Sequence, residues 1–133
     1  MFTKVMAAII WARMRRRYLD GDYAGAAKLA EQYRETGVKS LVFDAFDATL
    51  DVLNHRYDSA AEKFRSVAEQ TEDAANNNGR YIHEFAMYSL CLHDNLKHRA
   101  EGHRRAALSA GASPYVRKSI PIASGPLRAE WFQ

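Results

Sequence analysis

The amino-acid sequence of 133 residues predicts an all-α fold built from stacked helical hairpins. Three observations lead to this prediction. The sequence resembles itself at a spacing of 34 residues, apolar residues within each copy recur every three or four positions, and all three prolines lie after residue 113. A fixed period of this length is typical of architectures in which similar units stack side by side.

The clearest part of the repeat pairs residues 19–27 with residues 53–61, where a leucine, a tyrosine and two alanines coincide. Apolar residues also coincide around this segment: Trp11 with Ala45, Met14 with Ala48, Tyr18 with Val52, Ala30 with Phe64, and Tyr33 with Val67. In each unit the first group lies on one stripe of a helix, a polar break ends that helix, and a second stripe follows. Each unit is therefore predicted to be a helical hairpin.

A third, weaker copy follows if the loop at residues 76–79 is an insertion of six residues. It places Phe85, Tyr88 and Leu92 on its first helix and Ala100, Ala107 and Leu108 on its second. The predicted helices are 3–19, 22–36, 39–54, 57–75, 79–97 and 99–111.

Segment 112–133 contains the prolines, which predict an extended tail rather than a helix. Its large apolar residues are expected to dock, either on this chain or on a second copy in a homodimer. The docked residues are predicted to be Ile120, Ile122, Trp131 and Phe132.

Two motifs give the repeat a family resemblance. Gly21-Asp22-Tyr23 followed by Ala26, and Tyr57 followed by Ala60 and Phe64, resemble the tetratricopeptide repeat (TPR). The resemblance implies a TPR-like domain at 1–111, in which about three degenerate repeats stack as a short right-handed superhelix, and a tail at 112–133. An unrelated six-helix bundle is the alternative architecture.

The resemblance also implies a function, because the first helices of such hairpins line a concave groove that grips another protein. The chain is then a non-enzymatic adaptor or chaperone-like module that binds an apolar helix or extended peptide. Coverage of the same face by another part of this chain is the alternative. The groove residues are predicted to be Ile9, Ala12, Arg16, Phe43, Phe46, Leu50, Leu53, His83, Ala86 and Leu90.

The composition leaves two other functions open. Basic residues number 19 and acidic residues 16, so the surface is mixed in charge and gives little indication of a nucleic-acid partner. A small basic nucleic-acid-binding protein and an obligate structural subunit of a larger assembly remain the alternatives to an adaptor.

No catalytic residue, metal site or cofactor is predicted. His93, His98 and His103 are five residues apart, so they cannot share one helix face as metal ligands would. Cys91 lies between leucines and is expected to be a buried, inert thiol. Asp44, Asp47 and Asp51 share one face of the third helix and are expected to face water.

The apolar run at residues 5–11 is too short to span a membrane, and arginines follow it in place of a cleavage site. Together with the single cysteine, this predicts a cytoplasmic protein. A basic helix at residues 2–17 that docks on anionic lipid through Phe2, Ile9, Ile10 and Trp11 is an alternative. A packing helix is preferred, since apolar residues at helical spacing usually belong to a core.

Overall fold

The computed structural model describes residues 2–122, and every regular element in that range is a helix. The all-α prediction is therefore confirmed for the described part of the chain. Two compact units are present, Met1–Ser40 and Leu41–Gln133. The helices are α1 (Phe2–Leu19), α2 (Tyr23–Glu35), α3 (Leu41–Leu53), α4 (Tyr57–Thr71), α5 (Asn77–His93), α6 (Lys97–Leu108) and α7 (Pro114–Ser119).

The first unit is a hairpin of α1 and α2, which pack along each other. Asp22 caps α2, because its Oδ1 accepts a hydrogen bond of 2.9 Å from the amide of Gly25. The ring centroids of Trp11 and Tyr33 lie 6.2 Å apart across the hairpin. The side chains buried in this unit recur every three or four residues: Ala7, Ile10, Met14, Tyr18, Ala26, Ala30 and Tyr33.

The second unit contains the hairpins α3–α4 and α5–α6, with α4 packed against α5. The Phe64 and Phe85 rings meet edge to face between those two helices, with centroids 5.9 Å apart. The largest fully buried side chains of this unit are Tyr81, Tyr88, Phe46, Phe64, Phe85 and Leu50.

Burial follows the repeat register in all three hairpins. Ala26, Ala60 and Ala100 occupy equivalent positions and are 0%, 1% and 0% exposed. Small side chains at these positions allow the two helices of each hairpin to approach closely. These three alanines are therefore buried at positions that the proposed period of 34 residues, with six inserted residues before the third copy, makes equivalent.

The three hairpin turns share one backbone geometry that the sequence did not predict. Gly21, His55 and Asn95 have positive φ angles of 79°, 61° and 60°, and they are spaced by 34 and 40 residues, as the repeat and its insertion require. In each turn the next amide donates to a carbonyl five residues earlier: Asp22 to Arg17 (2.9 Å), Arg56 to Asp51 (2.8 Å) and Leu96 to Cys91 (2.7 Å). A residue with a positive φ angle, followed by a hydrogen bond from the next amide to a carbonyl five residues earlier, is the Schellman motif at a helix C-terminus.

The C-terminal segment differs from the prediction of an extended tail. Residues Pro114–Ser119 form the short helix α7, because proline is tolerated at the first position of a helix and the Ser113 hydroxyl accepts a bond from the Val116 amide. Ile120 and Ile122 are buried, as expected. Trp131, Phe132 and the rest of the predicted tail after residue 122 lie outside the described residues.

Two smaller expectations also change. Helix α5 begins at Asn77, inside the predicted loop, because Asn76 Oδ1 accepts a 2.6 Å hydrogen bond from the Gly79 amide and caps the helix. Leu108, predicted to pack within the third hairpin, is exposed at the end of α6.

Candidate functional site

The predicted groove residues of α3 are core residues. Phe43, Phe46, Leu50 and Leu53 are all buried, on a helix that packs against α4, α5 and α7. A helix that is apolar on nearly all sides is covered on more than one side. The structure therefore contradicts the expectation that these four side chains form an open apolar surface. Buried side chains cannot contact a partner unless the fold changes.

The predicted groove residues of α5 are also largely covered. Ala86 is fully buried, and His83 and Leu90 are half-buried. The Nδ1 atom of His83 lies 3.1 Å from both the Thr71 hydroxyl and the Ala68 carbonyl oxygen. These contacts link α5 to α4, so a structural role accounts for the position of His83.

The predicted groove residues of α1 are accessible. Ile9, Ala12 and Arg16 are exposed, and their spacing of three and four residues places them on one face of the helix. This face differs from the one that packs on α2, which carries Ile10 and Met14. The accessible part of the predicted groove is therefore the outer face of α1.

An open recess of about 900 Å³ lies between α1 and α2 and includes two of these residues. Ala12, Ala24 and Leu29 give it apolar surface. Its lining residues are Ala12, Arg13, Arg16, Arg17, Asp20, Asp22, Ala24, Gly25, Lys28, Leu29 and Gln32.

The recess has an excess of positive charge. Its four cations face two carboxylates. Within residues 2–122, Arg17 is the one among them that forms an ion pair, at 3.3 Å from Asp22 Oδ2. The side chains of Arg13, Arg16 and Lys28 have no hydrogen-bond or ion-pair partner within residues 2–122. Because the recess offers apolar surface beside unpaired cations, it suits a ligand that is both apolar and acidic.

A second, smaller concavity of about 330 Å³ lies among α4, α5 and α6. Glu84 lines it and accepts a hydrogen bond of 2.6 Å from Nδ1 of His103, which joins α6 to α5. Arg80 lines the same space. The Thr71 hydroxyl donates to the Val67 carbonyl of its own helix. His83 and Glu84 have partners on neighbouring helices, so the concavity has less unpaired charge than the α1–α2 recess.

The acidic face of α3 corrects another prediction. Asp47 and Asp51 were expected to face water, but they are only 6% and 2% exposed. Lys63 Nζ on α4 lies 3.2 Å from Asp47 and 2.8 Å from Asp51. Arg56 and Ser59 also donate to Asp51. The residues that could have indicated this burial are Lys63 and Ser59 on the facing helix. The pattern within one helix does not show that they contact the aspartates.

Cys91 is buried, and burial raises the pKa of its thiol above the ordinary value. This agrees with the expectation of an inert cysteine. Within residues 2–122, no three His, Cys, Asp or Glu side chains lie close enough together to hold a metal ion.

Helix α1 carries a second apolar stripe, of which the groove prediction included only Ile9. Phe2, Val5, Met6 and Ile9 recur at helical spacing and are 77%, 53%, 44% and 50% exposed. The signal in the sequence was the presence of two apolar stripes on a single helix, of which α2 covers only one. No helix in the described range has the length and hydropathy needed to cross a membrane.

Comparisons with protein families, with curated proteins and with solved structures find no match to this chain.

Proposed function

We propose that this chain is a non-enzymatic, TPR-like protein-interaction module of the cytoplasm that holds a segment of a partner protein in the α1–α2 recess. The observation that carries the proposal is the combination of accessible apolar surface and unpaired cations in that recess. Ala12 and Arg16, predicted from the sequence as groove residues, line it. The repeated hairpin geometry and the single buried cysteine support the family resemblance and the cytoplasmic location.

The partner segment is defined by the lining. Ala12, Ala24 and Leu29 leave room for apolar side chains, because two of them end at Cβ. Arg13, Arg16 and Lys28 would pair with carboxylates of the same segment. The proposed ligand is therefore a helix or extended peptide that presents apolar and acidic residues together.

Selection of a random peptide library displayed on phage against the immobilised protein tests this proposal. We expect enrichment of peptides rich in Asp or Glu and Leu or Phe, and binding of the synthetic peptides in a fluorescence anisotropy titration. Ala24→Trp fills the recess from α2, and Lys28→Glu reverses one of its charges. Each is expected to weaken binding by about tenfold or more, since each acts on a contact at the centre of the site.

Ala106→Trp is the matched control, because Ala106 is an exposed alanine that lines the second concavity. It should leave peptide affinity unchanged. Loss of binding in Ala106→Trp but not in Ala24→Trp would move the site to the second concavity and refute the proposal. A library that yields no enriched peptide would also refute it.

A further inference from the structure

Within residues 2–122, the exposed stripe of α1 groups four large apolar side chains that neither the hairpin core nor the recess explains. Four large apolar side chains, Phe2, Val5, Met6 and Ile9, share it and are all at least 44% exposed. Single exposed apolar residues are common on protein surfaces, but a contiguous set indicates a docking surface. The occupant must therefore be identified from the chemistry around the stripe.

Charge is the first guide to the occupant. Helix α1 carries five cations and no Asp or Glu. A second copy of α1 placed on this stripe would bring two such helices together, and their like charges would repel. Four partly exposed side chains also provide much less than the roughly 800 Å² per partner that a stable protein interface buries.

The placement of the cations along α1 is the second guide. At 100° per residue, Arg13 and Arg16 lie within about 40° of Ile9, on the same side of the helix. At 1.5 Å per residue they lie about 6 Å and 10 Å beyond Ile9 along the axis. An amphipathic helix buries its apolar face roughly 5–10 Å into the boundary between headgroups and acyl chains. When α1 is tilted so that residues 2–9 enter the bilayer first, the two arginines follow on the same side of the helix at the level of the headgroups.

We propose that the stripe of Phe2, Val5, Met6 and Ile9 docks obliquely on an anionic lipid bilayer, with Arg13 and Arg16 contacting the headgroups. The inserted residues differ in part from those expected from the sequence alone. Ile10 is buried against the first hairpin, and the Trp11 ring packs near Tyr33, so neither faces the lipid. This inference goes beyond the proposed protein interaction, since the inserted apolar stripe lies outside the α1–α2 recess, although Arg13 and Arg16 also line that recess.

Flotation of the full chain with lipid vesicles tests the inference. Vesicles of phosphatidylcholine with about 30 mol % phosphatidylserine should bind the protein, and vesicles of phosphatidylcholine alone should bind it at least about tenfold less. Raising the salt concentration should weaken the binding, because salt screens the attraction between arginines and lipid. Absence of binding to the anionic vesicles overturns the inference.

Two sets of variants locate the contact. Val5→Asp with Ile9→Asp should lower the partition coefficient by more than about tenfold, while Leu108→Asp, an equally exposed leucine on α6, should leave it unchanged. Arg13→Gln with Arg16→Gln should lower it by about fivefold per arginine. Arg65→Gln with Arg105→Gln removes two exposed arginines elsewhere and should have little effect. Equal losses in the test and control variants would refute the assigned surface.

Nuclear magnetic resonance with anionic bicelles provides a measurement that does not depend on variants. The amides perturbed by the bicelles should lie in residues 2–16, and perturbations confined to α3–α7 would contradict the inference. Light scattering tests the alternative that a second copy of the chain occupies the stripe. A wild-type dimer that becomes monomeric in Val5→Asp with Ile9→Asp would show that a second copy covers the stripe and would overturn the inference. Ala24→Trp blocks the recess and should leave vesicle binding intact, so failure of the protein-interaction proposal and failure of this one are distinguishable.

Discussion

Lys63 Nζ on α4 lies 2.8 Å from Oδ2 of Asp51 on α3, and this ion pair joins the two helices of the second hairpin. The same ammonium contacts Asp47 at 3.2 Å. Asp51 is almost fully buried, so it depends on Lys63, Arg56 and Ser59 to satisfy its two oxygens. Removal of the ammonium leaves two covered carboxylates near each other.

Lys63→Met should therefore destabilise the protein by about 2 kcal/mol, because it keeps the aliphatic stem but removes the cation that two buried carboxylates share. Urea unfolding followed by circular dichroism measures the change. Arg65→Met, at an exposed position of the same helix, should shift the free energy of unfolding by less than about 0.5 kcal/mol. Equal effects of the two substitutions would contradict a buried network.

The pKa of Asp51 gives this network a pH dependence. Burial alone would raise that pKa, but hydrogen bonds from Lys63, Ser59 and Arg56 outweigh it and lower the pKa below its ordinary value. At acid pH the unfolded chain then binds more protons than the folded one. The contribution is complete above about pH 4, the range of an unperturbed Asp, and is lost as the pH falls further.

Unfolding of the wild type and of Asp51→Asn, measured across that pH range, tests this sign. The difference in stability between the two proteins should be largest near neutral pH and shrink below about pH 4. A difference that is constant with pH would show that the carboxylate keeps its ordinary pKa.

The shared turn geometry predicts opposite effects at equivalent positions. His55→Gly should stabilise the protein by about 0.5 kcal/mol or more, because a side chain at positive φ is strained and glycine is not. Gly21→Ala should cost about 1 kcal/mol for the same reason. A Cβ at Gly21 would have no atom within 4 Å, so this cost comes from backbone strain and not from a steric clash. Thermal melts measure both changes.

Gly102→Ala is the control for these glycine substitutions. Gly102 lies inside α6, where a Cβ would also meet open space and φ is not positive. Alanine there should stabilise the helix by about 0.5–1 kcal/mol. A stabilising Gly21→Ala would contradict the left-handed turn.

The Tyr81 hydroxyl ties α5 to the segment after α7 by donating a 2.7 Å hydrogen bond to the Ile120 carbonyl. Tyr81→Phe should cost about 1–2 kcal/mol, because the buried carbonyl loses its partner. Tyr115→Phe, at an exposed position, should be close to neutral. Faster amide exchange around residues 116–120 in Tyr81→Phe alone would locate the effect.

The features that the sequence alone determined are the helices and the equivalent positions in the repeat. Spacings of three and four residues predicted the six helices of the hairpins, and the period of 34 predicted that Ala26 and Ala60 are buried at equivalent contacts. These features follow from residues close in the chain, so periodicity alone reveals them. The turn geometry at His55 and Asn95 escaped prediction, because neither residue is the glycine that usually marks a left-handed position.

The tertiary structure alone decided which apolar and charged surfaces are covered. Phe46 and Leu50 looked equally suited to a groove or a core, and only the packing of α3 against other helices places them inside. Asp51 is buried because Lys63 reaches it from another helix. On α1 the repeat pattern predicted that Met14 and Tyr18 pack, and only the structure showed that Phe2, Val5 and Met6 stay exposed. Burial depends on neighbours distant in the chain, and a helical pattern specifies a face without specifying what covers it.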